Sequence, residues 1–176
     1  MPTILTHPAV PIALYMGLGQ KKISKQLLIA GCIASVLPDL DVVAFSLGVP
    51  YAAEFGHRGF SHSLVFALLI AIAGALLASK LLESIPTRAF WFIFVAAASH
   101  GLLDAFTNGG LGIAFLWPLT DQRFFAPFHP IEVAPLGLSR FLSERGVTVL
   151  WSEVLWVWLP LLCMAAVFAT ARTRKA

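Results

Sequence analysis

Long apolar runs alternate with short polar turns along most of the chain, and their lengths predict an all-α membrane protein. Residues 62–80 and 89–108 form two runs that are each long enough to cross a bilayer, which takes about 20 residues, and a polar turn with Pro86 separates them. A third run, 147–171, contains Pro160, which predicts a kink. We therefore expect these three segments to cross the membrane.

The first fifty residues predict shorter elements. Residues 1–20 are apolar, but Pro8 and Pro11 suit the first turn of a short helix that inserts halfway or re-enters. Residues 26–50 predict a broken helix, because Pro38 and two acids interrupt the apolar run. The predicted fold is a polytopic bundle of about four spanning or partly spanning helices, with short interfacial or re-entrant helices.

Residues 111–146 form the one long stretch without a predicted crossing. It holds aromatic residues, prolines and several charged side chains. We expect an extracytoplasmic loop region there, with loops and short interfacial helices.

Composition agrees with this interpretation. Of 176 residues, 59% are hydrophobic and 12% are charged, whereas a soluble domain carries about 25% charged residues. The length suits one integral-membrane domain, 1–176. The net charge of +3 comes without a basic patch of the kind that binds nucleic acid. The two cysteines lie far apart in apolar runs and are interpreted as packing residues, and the sequence gives no indication of an oligomeric state.

The basic residues predict the orientation. If three segments cross, eight of the 12 basic residues fall on one side, which should be cytoplasmic. The histidine and aspartate motifs then fall on the other side, so we expect a multi-pass protein of the bacterial inner membrane with an extracytoplasmic site. The eight residues are Lys21, Lys22, Lys25, Lys80, Arg88, Arg172, Arg174 and Lys175.

His100 and Asp104 are the strongest candidates for chemistry. They are four residues apart, so on a helix they lie on one face, one turn from each other. An imidazole and a carboxylate in this arrangement can hold a divalent cation, and an ionised aspartate near hydrocarbon needs such compensation. The alternative is a solvated histidine and aspartate at a helix end.

The predicted topology brings further ligands to the same end of the bundle. Mixed imidazole and carboxylate ligands suit zinc, with manganese or iron as alternatives, and seven candidates are enough for more than one ion. Structural roles remain open: His7 can start a helix, Asp39 can cap one, and Arg58 can pair with Glu54 or Asp41. The candidate ligands are His7, Asp39, Asp41, His57, His62, His100 and Asp104.

Five motifs stand in order along the chain: H-P at His7, P-D-L-D at 38–41, H-R-G-F-S-H-S at 57–63, H-G-L-L-D-A-F-T-N-G-G at 100–110 and W-P-L-T-D-Q-R-F-F-A-P at 117–127. Together they resemble the YdjM-like family, whose members are described as membrane-bound, metal-dependent, phospholipase-like hydrolases. The resemblance covers roughly residues 3 to 130. It implies metal binding by His57, His62, His100 and Asp104 and by the two acids after Pro38, whereas His129 falls where a basic residue such as arginine is expected.

These observations favour a metal-dependent hydrolase that acts at the membrane surface through a metal-activated water. A phosphate ester of a lipid or lipid-linked substrate is the expected target. Asp39 or Asp41 can bridge metals or act as a base, and Arg58 can hold a phosphate oxygen. Two non-enzymatic alternatives remain: a zinc-binding or metal-sensing membrane protein, and a structural protein in which the metal is a staple.

Overall fold

A computed structural model describes residues 1–135 and 141–174, and the fold of these residues is helical. They contain two isolated β-bridges, Thr107 with Ile131 and Ile113 with Phe124, and no named strand. The elements, in chain order, are α1 (Ala9–Leu18), α2 (Lys25–Val36), a 3-10 turn (Leu37–Val42), α3 (Val43–Ser46), a second 3-10 turn (Phe60–His62), α4 (Leu64–Leu81), α5 (Pro86–Ala105) and α6 (Glu144–Thr173).

Local sequence explains where the central helices begin. Ser24 caps α2 by accepting a hydrogen bond from the Leu27 N–H, and Ser63 caps α4 by accepting one from the Phe66 N–H. Pro86 opens α5, where its missing N–H costs nothing. Pro38 lies in the 3-10 turn that ends α2, so the interruption of the apolar run is a change of helix type.

Small residues allow the central helices to approach closely. α4 and α5 are antiparallel neighbours, and α2 packs against the other side of α5. A Cβ on Gly74 of α4 would lie 2.2 Å from the Ile93 side chain, and one on Gly31 of α2 would lie 2.4 Å from the Phe92 ring. The three helices therefore pack on alanine and glycine, as helices in membranes commonly do.

The bundle has two chemically different ends. At one end, Ser24 donates to the Leu82 carbonyl at 2.5 Å, and Arg172 donates to the Gly17 carbonyl at 2.6 Å. We call this the basic end, because lysines and arginines flank these contacts. The opposite end, called the site end, holds the histidines and aspartates. The basic end carries Lys21, Lys22, Lys25, Lys80, Arg88 and Arg172, whereas Lys175 lies outside the described residues.

Two helices are long and apolar enough to cross a membrane: α4, with 18 residues, and α6, with 30. Both leave most of their apolar side chains exposed, which suits contact with lipid rather than the interior of a soluble protein. α5 has 20 residues and so measures about 30 Å, but Arg88 and the polar residues near its C-terminus lower its mean hydropathy. The structure thus supports two of the four predicted spanning or partly spanning helices.

The last helix and the loop before it differ in detail from the expectations. α6 begins at Glu144 and contains a π turn, Val154–Trp158, which ends two residues before Pro160. A π turn is wider than an α turn. It suits Pro160, because proline has no N–H to donate and its ring would clash with the carbonyl of an earlier residue in a regular helix. Residues 111–135 contain turns and bridges but no helix, so the predicted interfacial helices are absent from this described part of the loop.

Candidate metal centre

Four separate elements deliver six of the predicted ligands to one buried cluster at the site end. His7 precedes α1, Asp39 lies in the 3-10 turn after α2, the loop before α4 supplies two histidines, and α5 supplies the last pair. None of these residues is more than 5% exposed. We call them the metal cluster: His7, Asp39, His57, His62, His100 and Asp104.

The Nε2 atoms of His62 and His100 face each other at 3.0 Å. The Nδ1 atom of His100 lies 2.7 Å from the Ser35 carbonyl oxygen, which can only accept, so the proton of a neutral ring lies on Nδ1. Ser61 donates its only hydroxyl proton to Asp41 and accepts from Nδ1 of His62 at 3.0 Å. With both rings neutral, the two Nε2 atoms thus present lone pairs to each other, and a cation bound by both would remove the repulsion.

Two carboxylates beside this pair have no hydrogen-bond donor. Both side-chain oxygens of Asp39 and of Asp104 are buried and accept no hydrogen bond, and both ring nitrogens of His7 are buried without one. The Arg58 guanidinium is an ionic neighbour of Asp104. Leaving a buried polar group unpaired costs about 1–3 kcal/mol, and more for a charged group. A set of unpaired carboxylates and imidazoles that face one another fits a metal ion, since each atom gains a ligand bond from it.

The distances between these atoms also fit coordination. Ligands about 2.0–2.1 Å from one tetrahedral zinc stand about 3.3–3.4 Å from one another. Oδ1 of Asp39 lies 3.4 Å from Nε2 of His100, and Oδ2 of Asp104 lies 3.5 Å from Nε2 of His62. These separations exceed those of good hydrogen bonds and match the edges of a coordination polyhedron.

Each carboxylate also reaches a second position. Oδ2 of Asp39 and Oδ1 of Asp104 lie 3.6 and 3.8 Å from Nε2 of His7. One oxygen of each aspartate thus faces His7 and the other faces the pair of His62 and His100. His7 stacks on the His100 ring at 3.7 Å, which fixes its orientation. This is an arrangement in which two carboxylates can bridge two ions.

His57 is the remaining residue of the metal cluster. Single ligand atoms of Asp39, His57 and His62 all lie within 4.8 Å of one another. Nδ1 of His57 lies 2.6 Å from Oδ1 of Asp41, so a neutral His57 ring carries its proton on Nδ1 and its lone pair on Nε2.

Asp41, predicted as a ligand and as a candidate base, lies outside this set of ligand groups. Its Oδ1 accepts from His57, and its Oδ2 accepts from the Ser61 hydroxyl at 2.7 Å and from the Arg58 N–H at 3.2 Å. Because these donors contact both oxygens, Asp41 is placed to orient the candidate ligands His57 and His62. A carboxylate behind a ligating histidine is a common outer partner of metal sites.

Arg58, predicted to hold a phosphate oxygen, is also placed differently. Its side chain is fully buried, and its guanidinium donates to the Gly109 and Leu111 carbonyl oxygens, each at 2.8 Å, and to the Thr107 hydroxyl at 3.0 Å. Its Nε lies 3.3 Å from Oδ2 of Asp104. These contacts give Arg58 a positioning role: it joins the loop after α5 to a cluster carboxylate.

Sequence reasoning missed the groups that orient the ligands. Ser61 lies between two predicted histidines, and Thr107 lies inside the motif of His100 and Asp104, so both were visible in the motifs. The Ser35 carbonyl could not be found in this way, because a contact of the backbone does not depend on the residue type. Glu153 was also missed: it is buried in α6 and accepts from Thr3 and Thr6 at the site end. Its position as an acidic residue within an apolar run could have identified it from the sequence.

Comparison with known proteins places this chain in a family. The sequence pattern of the YdjM inner membrane protein family matches residues 1–176. The chain belongs to this family. The inner membrane protein YbcI of Escherichia coli K12 is 48% identical over 160 residues, covering 91% of this chain and 92% of that protein. The inner membrane protein YdjM of the same strain is 36% identical over 141 residues, covering 73% of this chain and 63% of that protein.

A YdjM protein of Shigella flexneri shows the same 36% identity over 141 residues. These names describe location in the inner membrane. They agree with the two apolar helices, α4 and α6, and state no activity. No solved structure matches the chain.

Proposed function

We propose that this member of the YdjM family is a membrane-embedded, metal-dependent hydrolase that cleaves a phosphate ester of a lipid or lipid-linked substrate. One observation carries the proposal: the four carboxylate oxygens of Asp39 and Asp104 are buried without hydrogen-bond partners and face imidazoles of the metal cluster. Zn²⁺ suits this donor set, with Mn²⁺ as the alternative.

The number of donors supports two ions rather than one. A structural zinc site closes with four ligands, most often including thiolates. This cluster has six residues, no cysteine, and two aspartates whose oxygens divide between His7 on one side and His62 with His100 on the other. Bound ions of this kind polarise a phosphoryl oxygen and activate water. The protein residues hold the ions, orient the imidazoles and exclude bulk water.

Charge supports an anionic substrate. The carboxylates of Asp39, Asp41 and Asp104 and the guanidinium of Arg58 together carry a formal charge of −2 when the imidazoles are neutral. Two divalent ions would change this to +2. A buried positive charge of this kind would attract an anion, and a phosphate ester is an anion whose oxygens suit such ions.

The position of the cluster supports a lipid as the source of that phosphate. The cluster lies at one end of helices whose outer surfaces are apolar, and we propose that this end meets the lipid head groups. The distribution of lysine and arginine supports a cytoplasmic basic end and, with it, an extracytoplasmic cluster. An impermeant maleimide should therefore label Asp121→Cys in intact cells, and labelling only after lysis would contradict this orientation.

The central experiment measures metal content and phosphate-ester cleavage in the same preparations. The detergent-purified protein should bind about two zinc or manganese ions per chain and release a head group or phosphate from a lipid panel. His100→Ala and Asp104→Ala should lose metal and activity. His129→Ala and Asp121→Ala are matched controls, because both residues are exposed and lie outside the cluster. Metal at background in the parent protein would overturn the proposal.

The burial of the cluster favours a second candidate, a structural metal staple. Catalytic sites keep an open coordination position, whereas structural sites are closed, and His7, His100 and Asp104 are each 0% exposed. A staple predicts bound metal and a large loss of stability on chelation, with no hydrolysis of any lipid or of a water-soluble phosphodiester. Cleavage of the water-soluble ester alone would identify a hydrolase whose substrate is not a lipid.

A further inference from the structure

An apolar groove runs between α1 and α2 and ends beside the metal cluster. It has a volume of about 640 Å³ and is lined almost entirely by apolar atoms, including those of Ile12 on α1 and of Cys32 and Ile33 on α2. From the structure we infer that this groove holds one acyl chain of the lipid whose phosphate lies at the metal cluster. The inference rests on the proposed function and names the substrate as an acyl lipid.

The first argument is continuity with the cluster. Pro8, Leu37 and Leu40 line the groove at its site end. Pro8 follows His7 directly, and Leu40 follows Asp39, so the backbone that presents two ligands also forms the wall of the groove. A chain in the groove therefore has its polar end at the ligands.

The second argument is exposure to the hydrocarbon. Ile29 and Ile33 of α2 are each 60% exposed, and Leu40 is 59% exposed. A row of exposed branched apolar side chains on a partly inserted helix needs an apolar neighbour. In the inner membrane that neighbour is lipid, which enters the groove sideways from its own leaflet.

The third argument is length. Leu28 and Val36 line the groove and lie eight residues apart on α2, which is about 12 Å at 1.5 Å per residue. One leaflet supplies about 15 Å, half of a hydrocarbon core of about 30 Å. The groove is therefore about as deep as the acyl region of the leaflet from which the substrate would come.

A second apolar groove provides an internal comparison. It lies between α1 and α6, has a volume of about 280 Å³ and includes Val10, Gly17 and Phe168. Its lining begins at Val10 and continues toward the basic end, so none of its residues neighbours a ligand in the chain.

The native cysteines give a matched pair of variants. Cys32 lies in the groove, whereas Cys163 is exposed on α6 and lines neither groove. Cys32→Trp fills the groove, and Cys163→Trp adds the same ring to a lipid-facing surface. Alkylation of Cys32 with a long-chain maleimide in the Cys163→Ala protein also blocks the groove. Because the protein is already folded when it is alkylated, a loss of cross-linking in this sample does not reflect a failure to fold.

The probe is phosphatidylethanolamine with a diazirine in one acyl chain, reconstituted with the holoprotein. Cross-links should map to the groove face of α1 and α2. Cys32→Trp and the alkylated protein should lose them about tenfold, since burying even a few methylene groups is worth that factor, and Cys163→Trp should keep them. Metal content should stay the same in all three. Cross-links confined to α4 and α6, or unchanged by the blocked groove, would overturn the inference.

Cleavage assays separate this inference from the function on which it rests. If the groove holds the acyl chain, its blockage should slow cleavage of the long-chain lipid and leave cleavage of a short-chain, water-soluble ester unchanged. Equal loss for both substrates, or for neither, would contradict the groove assignment while the hydrolase stands. No cleavage of either substrate by the parent protein would instead refute the hydrolase, and the cross-linking result would still show whether a lipid chain occupies the groove.

Discussion

Oδ1 of Asp41 lies 2.6 Å from Nδ1 of His57, and Oδ2 of the same residue lies 3.2 Å from Nδ1 of His62. The Asp41 carboxylate thus lies beside the Nδ1 atoms of two candidate ligands. Asp39 is two residues earlier and lies beside the Nε2 atom of His100, and neither of its oxygens accepts a hydrogen bond. Two acids of one short turn therefore have different surroundings, and under the proposed function Asp39 binds metal while Asp41 orients its ligands.

Exchange of these acids for asparagine should separate the two tasks. Asp41→Asn should weaken metal binding by about 10–100-fold, as loss of an outer partner typically does, while saturating metal still fills the cluster. Asp39→Asn should lower the number of ions bound even at saturation, because it removes a shared ligand. Competition titration with a chelating dye, followed by elemental analysis, measures both quantities. Equal stoichiometry and affinity in the two variants would contradict the assignment.

This difference shows how far the sequence could predict the site. His100 and Asp104 could be paired from sequence, because helical spacing puts them on one face. Counting the crossings then indicated which end would receive the loop with His57 and His62. The separate roles of Asp39 and Asp41 depend on the dihedral angles of a 3-10 turn, which residue types do not specify.

The fold was predictable to a similar degree. Apolar runs indicated the helical class and the helices α4 and α6, because their periodicity and length are local properties. Arg58 adopts a positive φ of 64°, which an arginine accepts only when the surrounding contacts require it. Those contacts come from the loop after α5, more than 45 residues away, so neither its burial nor its partners could be derived from the local pattern.

Arg58→Ala should destabilise the protein strongly. It leaves the Asp104 carboxylate and the Gly109 and Leu111 carbonyl oxygens without their buried partner, and loss of one member of a buried pair costs about 3–5 kcal/mol. The control is Arg145→Ala, since Arg145 pairs with Glu132 at 2.7 Å on an exposed surface, where a pair contributes about 0–1 kcal/mol. Reversible unfolding in mixed micelles gives both changes. Similar values for the two variants would refute the positioning role of Arg58.

Removal of metal should lower the melting temperature of the detergent-solubilised protein. A ligand at about 1,000 times its Kd stabilises the folded state by about 4 kcal/mol, which corresponds to a shift of roughly 8–16 °C for a chain of this size. Tryptophan fluorescence can follow melting before and after chelation and on return of Zn²⁺. Asp104→Ala, which lacks a cluster ligand, should barely respond. An equal response of the parent and this variant would show that chelation acts elsewhere.

Glu132 should give a small, pH-dependent contribution to stability. A hydrogen bond from the Asn108 side chain, and then the Arg145 guanidinium, hold the pKa of Glu132 below its ordinary value of 4.5. Because the folded pKa is the lower one, the stabilisation is present above pH 4.5 and is lost as the pH falls through the folded pKa. The stability difference between the parent and Glu132→Gln should therefore be constant near neutrality and shrink below pH 4.5. Glu144→Gln is the control, and a difference that grows in acid would contradict the contact.

Gly101 permits the close approach of the His62 loop to α5, so Gly101→Ala should disturb the metal cluster without unfolding the bundle. A Cβ there would lie 3.0 Å from the His62 carbonyl oxygen, which belongs to the backbone of a ligand residue, and 3.2 Å from the Phe115 ring. The loop must shift by a few tenths of an ångström, which changes the separation of 3.0 Å between the Nε2 atoms of His62 and His100. We expect weaker metal binding with little change in helical content.

Gly74→Ala is the matched control for this substitution. Its Cβ would lie 2.2 Å from Cδ1 of the Ile93 side chain, in the α4–α5 interface and away from the ligands. It should therefore cost stability through overpacking, about 1–3 kcal/mol, and leave metal affinity unchanged. Zinc titration combined with thermal unfolding distinguishes the two effects. If Gly74→Ala weakened zinc binding as much as Gly101→Ala, the cluster would respond to general packing of the helices rather than to the position of the His62 loop.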